Sequence, residues 1–318
     1  MSIDNSLRYM IIGAGGTGGA IGAHLAHAGR DVAFIARGRQ LDAMRKDGLR
    51  LHRPDAEFKI DPVKAYSMDD YPADQIPDVI IVCVKGYSIE ETIPFIKSVS
   101  GPDTIVVPIL NVFGTGAGMQ NYLPGITVLD GCIYIWTELR EPGLIWMSGT
   151  IFRVVFGLRR DQKGLERRIG CMLNKIKNDL DASGIEGVLS DNIERDALRK
   201  FSFVSPQGAV GLYYNVTLGA VHAPGEMRDC FVGLVREISD LADAMGIGFG
   251  EDIVPVNLKI TDSSDPGITT SMQKDVVAGR PSEVDGLIYE VVRMGRRYGV
   301  NMPLYNMIAE ELHSRGLK

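Results

Sequence analysis

The hydrophobic residues of the first half fall in short, nearly continuous runs of β-branched and aliphatic side chains, with helical patterns between them. Strands that are apolar at every position are buried on both faces, which is typical of a parallel sheet covered by helices. Helices are predicted over residues 16–28, ending at Gly29, and over residues 88–97. The pattern predicts a doubly wound parallel sheet with strands at residues 9–12, 31–36, 78–84, 104–110, 127–135 and 151–156.

After residue 156 the spacing of the apolar residues becomes helical. A surface helix is predicted over residues 164–180 and another helix over 282–298, with Ser282 as its N-cap. Residues 182–190 contain two glycines before a new capped segment, so we place a linker there. We therefore predict two domains: an α/β domain at residues 1–188 and a mainly α-helical domain at residues 189–318.

Composition and charge exclude several classes of function. The chain has 34 Lys and Arg residues against 40 Asp and Glu, a formal net charge of −6, and no basic block. Nucleic acid and membrane surfaces are therefore not expected partners. The start MSIDNSLRYMIIG lacks the features of a signal peptide, and no apolar run is long enough to span a bilayer, so we expect a cytoplasmic protein. The cysteines form no CxxC pair and the histidines show no metal-ligand spacing, so no metal site is predicted.

A glycine-rich loop, Gly13-Ala14-Gly15-Gly16-Thr17-Gly18, follows the first predicted strand and opens the first predicted helix. In a GxGxxG turn the first glycine permits the tight turn, the second lets the backbone approach a pyrophosphate, and the third lets the helix pack on the strand. The N–H groups at the helix N-terminus then bind the anion. The loop predicts a Rossmann-type dinucleotide site formed by Gly13, Gly15, Gly16, Thr17 and Gly18.

The end of the second predicted strand indicates which dinucleotide binds. NAD-selective sites have an Asp or Glu here that accepts a hydrogen bond from the ribose 2′-hydroxyl, whereas this chain has Ala36-Arg37-Gly38-Arg39. A guanidinium pairs well with a 2′-phosphate. We therefore predict NADP(H) as the cofactor and Arg37 as the residue that binds its 2′-phosphate. The alternative is that either arginine only caps a surface loop.

Several further motifs follow one another along the chain. They are DVIIVCVKGYSIEE with Lys85, LNVFG with Asn111, REPGLIWMSG at 140–149, ALRKFSF with Lys200, and SMQKD at 271–275 followed by Glu283. Together with residues 13–38, this order resembles the ketopantoate reductase (2-dehydropantoate 2-reductase) family over nearly the whole chain. The family has similar elements in the same order. They are the glycine loop with its arginine, a lysine beside the nicotinamide nucleotide, the Q-N-G-x-G turn, the E-P-G hairpin, the W-x-K lysine, and the S-M-x-x-D and E-I-D elements.

The resemblance implies that NADPH reduces a 2-keto acid to a 2-hydroxy acid, and that ketopantoate, reduced to pantoate in pantothenate biosynthesis, is the leading substrate. It implies that Lys200 donates the proton and that Asn111 orients substrate and nicotinamide. Ser271 would hold the substrate, Asp275 would shape its pocket, and Glu283 would contact the cofactor ribose or bias the lysine's charge. From the residues alone, Lys200 could equally be a surface lysine, Asn111 a turn former and Glu283 a first-turn acid.

Some positions depart from the family where the substrate would bind. The family's reference enzymes have asparagines four and eight residues after the lysine, and this chain has Val204 and Gly208. Val112 replaces a glycine, Trp136 replaces a small residue near the nicotinamide, and Pro206 is expected to kink or restart its helix. Alternatives to ketopantoate reduction are therefore another 2-keto acid, or a non-catalytic NADP(H)-binding sensor or scaffold. Apolar helix faces in the second domain could also pair two copies as a homodimer.

Overall fold

The structure is a computed structural model of the 318-residue chain and describes residues 6–317. The chain forms two compact units. The first, here called the sheet unit, contains the described residues up to Leu110 together with Gly114–Ile193. The second, the helical unit, contains Asn111–Phe113 and the described residues from Glu194 onward. The functional boundary that we predict between residues 188 and 189 stays a prediction.

The regular elements of the described residues are numbered in chain order. The strands are β1 (Arg8–Ile12), β2 (Asp31–Ile35), β3 (Leu49–His52), β4 (Glu57–Ile60), β5 (Lys64–Tyr66), β6 (Val79–Val82), β7 (Ile105–Pro108), β8 (Thr127–Val128), β9 (Asp130–Glu141), β10 (Leu144–Gly157) and β11 (Glu186–Leu189). The α-helices are α1 (Gly16–His27), α2 (Gly38–Asp47), α3 (Ile89–Val99), α4 (Thr115–Tyr122), α5 (Glu166–Ala182), α6 (Ile193–Tyr213), α7 (Glu226–Ala244), α8 (Ile253–Ser263), α9 (Ser271–Val277), α10 (Glu290–Tyr298) and α11 (Pro303–Ser314).

A six-stranded sheet in the order β5-β2-β1-β6-β7-β8 forms the centre of the sheet unit, and all its strands are parallel. Alternate side chains of β1 enter two different cores: Tyr9 and Ile11 join one, and Met10 and Ile12 join the other. Because successive residues of a strand point to opposite faces, both faces of the sheet are buried. The predicted doubly wound parallel sheet is confirmed.

A second sheet in the same unit differs from the sequence prediction. Its order is β11-β10-β3-β4, with β9 antiparallel to β10. Residues 127–135, predicted as one strand, divide between β8 in the first sheet and β9 in the second. The segment 182–190, predicted as a linker, contains β11, which pairs with β10 from Arg153↔Glu186 onward. Only this pairing, which joins residues far apart in sequence, makes the segment a strand.

The helical unit has one core, to which most of its helices contribute. Helix α6 runs without a break across Pro206, so the prediction of a restart there is wrong. Proline has no N–H to bond the carbonyl of Ser202 one turn earlier. The Asn257 side chain, which is only 1% exposed, donates to that carbonyl at 2.9 Å and to the Ser202 hydroxyl at 3.0 Å. A side chain from α8 therefore supplies the bond that proline cannot make.

The predicted helix over residues 282–298 begins later and less regularly than expected. Its first helical residue is Val284, so Ser282 is not its N-cap, and a π-helical segment over Asp285–Tyr289 precedes α10. In this segment the Leu287 carbonyl accepts a hydrogen bond from the Ser205 hydroxyl of α6 at 2.5 Å. The wider turn is thus stabilised by a contact that local sequence does not reveal. Within residues 6–317 we find no helix that is both long and apolar enough to span a membrane.

Candidate active site

The glycine loop of the sheet unit lies between β1 and α1. Gly13 has φ of +95°, and its N–H donates to the Ile35 carbonyl at 3.0 Å. A Cβ on Gly13 would lie 2.9 Å from the backbone carbon of Cys83, and a Cβ on Gly18 would lie 2.2 Å from the Gly13 carbonyl oxygen. Glycine is therefore required at both positions, because a positive φ and close backbone contacts leave no space for a side chain.

Gly15 faces open space. A Cβ on Gly15 would meet no atom within 4 Å, and Gly15 is the N-cap of α1 without a side-chain hydrogen bond to the helix. The first turn of α1, with Gly16 and Thr17, therefore presents backbone N–H groups that no N-cap side chain bonds. Such a helix N-terminus with open approach fits the pyrophosphate of a dinucleotide. The residues of the loop thus fit a bound dinucleotide.

Gln40 holds the loop in place, and sequence reasoning missed it. Its side-chain amide donates to the Ala14 carbonyl at 2.8 Å, and its side-chain oxygen accepts from the Gly143 N–H at 2.8 Å. One side chain of α2 therefore connects the glycine loop to the β9–β10 turn. No motif or spacing in the sequence marks a glutamine at this position.

Arg37 immediately precedes α2 at the end of the second parallel strand. Its side chain is 77% exposed and forms an ion pair with Glu91 of α3 at 3.2 Å. An exposed pair of this kind contributes little stability, so the guanidinium can exchange partners at low cost. Arg39 and Gln40 also line a neighbouring pocket of about 340 Å³, whose other lining residues are Leu139, Arg140, Glu141 and Pro142.

Lys85 lies beyond the carboxyl end of β6, next to β1 in the sheet. It is half-buried and precedes a 3₁₀ turn, Gly86–Ser88. The carboxyl ends of parallel strands lie at one edge of a sheet, so Lys85 and the glycine loop occupy the same edge. Desolvation raises the pKa of the nearby Cys83 thiol to about 12, so the thiol is protonated at neutral pH.

The helical unit brings Lys200 and Asn111 together. The Lys200 ammonium donates a hydrogen bond to the Asn111 side-chain oxygen at 2.6 Å, although the residues are 89 positions apart. Both side chains are half-buried, and the nearby Phe113 and Phe201 rings pack with their centroids 6.2 Å apart. The hydrogen bond to a neutral amide holds the ammonium in one place without neutralising its positive charge.

The other predicted residues of this unit lie on two later segments. Glu283 is 5% exposed and directly precedes the first helical residue of its segment. Ser271 is exposed as the first residue of α9, behind a capping box formed by Thr270 and Gln273. The Asp275 carboxylate forms an ion pair with Arg280 at 2.8 Å. Within residues 6–317, no group of His, Cys, Asp or Glu side chains is arranged to hold a metal ion.

Comparisons with known proteins agree over nearly the whole chain. A relative in Bacillus subtilis (strain 168), named as an uncharacterized oxidoreductase, YkpB, is 23% identical over 96% of this chain and 98% of its own. The solved structure of a 2-dehydropantoate 2-reductase from Geobacter metallireducens has a TM-score of 0.86 at 24% identity, covering 97% of this chain and 100% of that one. A D-mandelate dehydrogenase solved with NADH and anilino(oxo)acetate has a TM-score of 0.84 at 22% identity, covering 98% and 100%.

Family models match both parts of the chain. The model for ketopantoate reductase PanE/ApbA matches residues 9–161, and the model for the C-terminal region of the same family matches residues 192–316. The two matches lie in the order that the sequence motifs predict and cover most of the chain. The chain therefore belongs to the ketopantoate reductase PanE/ApbA family of dinucleotide-binding oxidoreductases.

Proposed function

We propose that this protein uses NADPH to reduce a 2-keto acid to a 2-hydroxy acid. The observation that supports this function most directly is the 2.6 Å hydrogen bond from Lys200 to Asn111. It gives a half-buried ammonium a fixed position, as a proton donor requires. Family membership supports the reaction class, and the open glycine loop supports the cofactor.

Most of the cofactor binding is assigned to the sheet unit, in keeping with the predicted NADP-binding domain at residues 1–188. The first turn of α1 binds the pyrophosphate, Arg37 pairs with the 2′-phosphate, and Lys85 contacts the nicotinamide nucleotide. Glu283 contacts the cofactor ribose or biases the charge of Lys200. The loop residues in this assignment are Gly13, Gly15, Gly16, Thr17 and Gly18.

In the reaction, bound NADPH supplies a hydride for the ketone carbon. Lys200 donates a proton to the ketone oxygen, where its positive charge stabilises the negative charge that develops in the transition state. Asn111 holds the lysine ammonium in position and orients the substrate. Ser271 binds the substrate. Asp275, which is held by its ion pair with Arg280, shapes the same pocket. One hydride and one proton added to the carbonyl give the 2-hydroxy acid.

Two alternatives follow from particular residues. Ketopantoate, giving pantoate for pantothenate biosynthesis, is the substrate that the resemblance implies. Val204 and Gly208, which stand where the family's reference enzymes have asparagines, favour a different 2-keto acid. The same positions motivate the second function, a non-catalytic NADP(H)-binding sensor or scaffold. A homodimer formed through apolar faces of the helical unit stays a prediction.

A panel of 2-keto acids, followed by loss of NADPH absorbance, tests the proposal. We expect turnover with at least one keto acid, and a loss of about 10²- to 10⁴-fold in kcat for Lys200→Ala, which is the usual contribution of a general acid. The affinity for NADPH should stay unchanged. Lys259→Ala, which removes an exposed lysine of α8, is the matched control and should leave turnover unaltered. Binding of NADPH without oxidation by any keto acid would favour the sensor or scaffold instead.

A further inference from the structure

We propose that the 2-keto acid of this protein has an apolar side chain, branched aliphatic or aromatic, and lacks the hydroxyl group of ketopantoate. This inference rests on the proposed function, because it concerns the side chain of the substrate protonated by Lys200. It is drawn from the face of α6 that follows Lys200 and from the segments packed on that face, all of which belong to the helical unit.

Lys200, Val204 and Gly208 lie on one face of α6, because residues four apart in a helix are neighbours on its surface. The proton donor is fixed at one end of this row by its hydrogen bond to Asn111. One turn further, Val204 is half-buried and packs against the core of the unit with its isopropyl group. The position beside the proton donor therefore offers no hydrogen-bonding group.

The second position of the row is closed by Met272. A Cβ on Gly208 would lie 2.5 Å from the terminal methyl carbon of Met272, and Met272 is fully buried. The methionine therefore occupies the space that a polar side chain at residue 208 would need. Met272 directly follows Ser271, so the start of α9 lies over α6 at Gly208. Gly208 is eight residues after Lys200, which is about 12 Å along the helix axis at about 1.5 Å per residue. A substrate held between Lys200 and Ser271 lies along Val204.

Two polar side chains that flank this face, Ser205 and Gln273, are already bonded to other partners. The Ser205 hydroxyl donates to the Leu287 carbonyl at 2.5 Å and lies 2.6 Å from the Tyr305 hydroxyl. The Gln273 amide donates to the Val216 carbonyl at 2.9 Å, and its oxygen accepts from the Thr270 N–H at 2.9 Å. Neither side chain can serve a substrate hydroxyl without losing a bond within the protein.

Asn111 is followed by a second apolar side chain. Val112 packs against the π-helical segment, where a Cβ on Gly286 would lie 2.6 Å from the Val112 Cγ2 atom. The residue that follows Asn111 and the residue one helical turn after Lys200 are therefore both valines. A substrate hydroxyl placed against either isopropyl group loses its bonds to water without gaining new ones.

A matched pair of substrates tests the inference on the unaltered protein. Ketopantoate and 3,3-dimethyl-2-oxobutanoate have the same carbon skeleton and differ only in the hydroxyl. We expect kcat/KM with NADPH to be about tenfold to a hundredfold higher for the compound without the hydroxyl, because an apolar pocket discriminates against an added hydroxyl to about this extent. Phenylglyoxylate tests the aromatic members of the class.

Variants of Val204 then locate the preference. Val204→Asn should lower the ratio of the two kcat/KM values by at least about tenfold, since it adds a partner for the hydroxyl. Val204→Ile enlarges the side chain without adding a polar group, so it should leave the ratio of the two kcat/KM values unchanged. NADPH affinity and thermal stability of each variant show that the fold is intact.

The possible failures are distinguishable. Equal or better use of ketopantoate by the unaltered protein overturns the apolar class but leaves the proposed reductase function standing. If the protein reduces only charged or hydroxylated keto acids, the apolar class is likewise overturned and the reductase function stands. If no 2-keto acid oxidises NADPH, the proposed function fails and the inference fails with it. A preference that stays the same in Val204→Asn contradicts the assignment of the preference to Val204.

Discussion

The glycine loop of the sheet unit and the Lys200 face of the helical unit are built in opposite ways. Six consecutive residues form the loop, and its geometry depends on backbone atoms, with a φ of +95° at Gly13 and a close approach of Gly18 to the Gly13 carbonyl. The Lys200 face depends on side chains from distant segments, and its central hydrogen bond spans 89 positions. The first site is therefore local in sequence and the second is not.

This difference suggests how each site can change. A site made of backbone atoms tolerates little substitution where an added carbon would meet backbone, as at Gly13 and Gly18. A site made of side chains can change its preference by a single substitution while the helix that presents it stays the same. We infer that Val204 and Gly208, which stand where the resemblance implies asparagines, are changes of this second kind, whereas the GxGxxG pattern of the loop is complete.

The largest effect is expected for Gly18→Ala. The added Cβ would lie 2.2 Å from the Gly13 carbonyl oxygen, so α1 must move away from the loop. We expect the free energy of unfolding to fall by about 3 kcal/mol or more, with loss of NADPH binding. Denaturant unfolding and NADPH fluorescence measure both. Gly170→Ala, in α5 with open space around it, is the control and should leave both quantities unchanged or slightly improve stability.

A smaller loss is expected for Asn257→Ala, which tests whether side chains hold α6 in shape. It leaves the Ser202 carbonyl without its bond, so we expect a loss of about 2 kcal/mol in the free energy of unfolding. The exposed Asn174, whose amide also donates to a helix carbonyl at 2.8 Å, is the control, and Asn174→Ala should change stability by about 0.5 kcal/mol or less.

A second substitution sharpens this prediction. Pro206→Ala restores the N–H that can bond the Ser202 carbonyl, so it should recover part of the stability lost in Asn257→Ala. If the double variant loses as much free energy of unfolding as the two single variants together, Asn257 does not replace the hydrogen bond to the Ser202 carbonyl that Pro206 cannot make.

The smallest effect is expected at Arg37, whose side-chain charge we assign to the 2′-phosphate of the cofactor. Arg37→Ala should weaken NADPH binding by about tenfold and leave NADH binding nearly unchanged, because only NADPH has the 2′-phosphate. Glu91→Gln removes the carboxylate that pairs with Arg37 and should tighten NADPH binding by at most about fivefold, the equivalent of an exposed ion pair. Equal losses for both nucleotides in Arg37→Ala would defeat the assignment.

Much of the first sheet was predictable because its strands are apolar on both faces. The run of residues 78–84 predicts β6, and all four residues of β6 are buried. The short strands β3, β4 and β5 escaped prediction, since they have only three or four residues and several exposed positions. The site shows the same division: the glycine loop follows from adjacent residues, whereas Gln40 has no marker in the sequence.

The sequence by itself determined the parallel sheet and the dinucleotide loop, because hydrophobic period and glycine spacing act over neighbouring residues. It also placed Lys200 and Asn111 in the family's motifs, but as residues they could equally have been a surface lysine and a turn former. Only the tertiary structure decided that the two meet, that α6 continues through Pro206, and that Met272 fills the space beside Gly208. Each of these depends on packing between segments far apart in the chain, which no local pattern encodes.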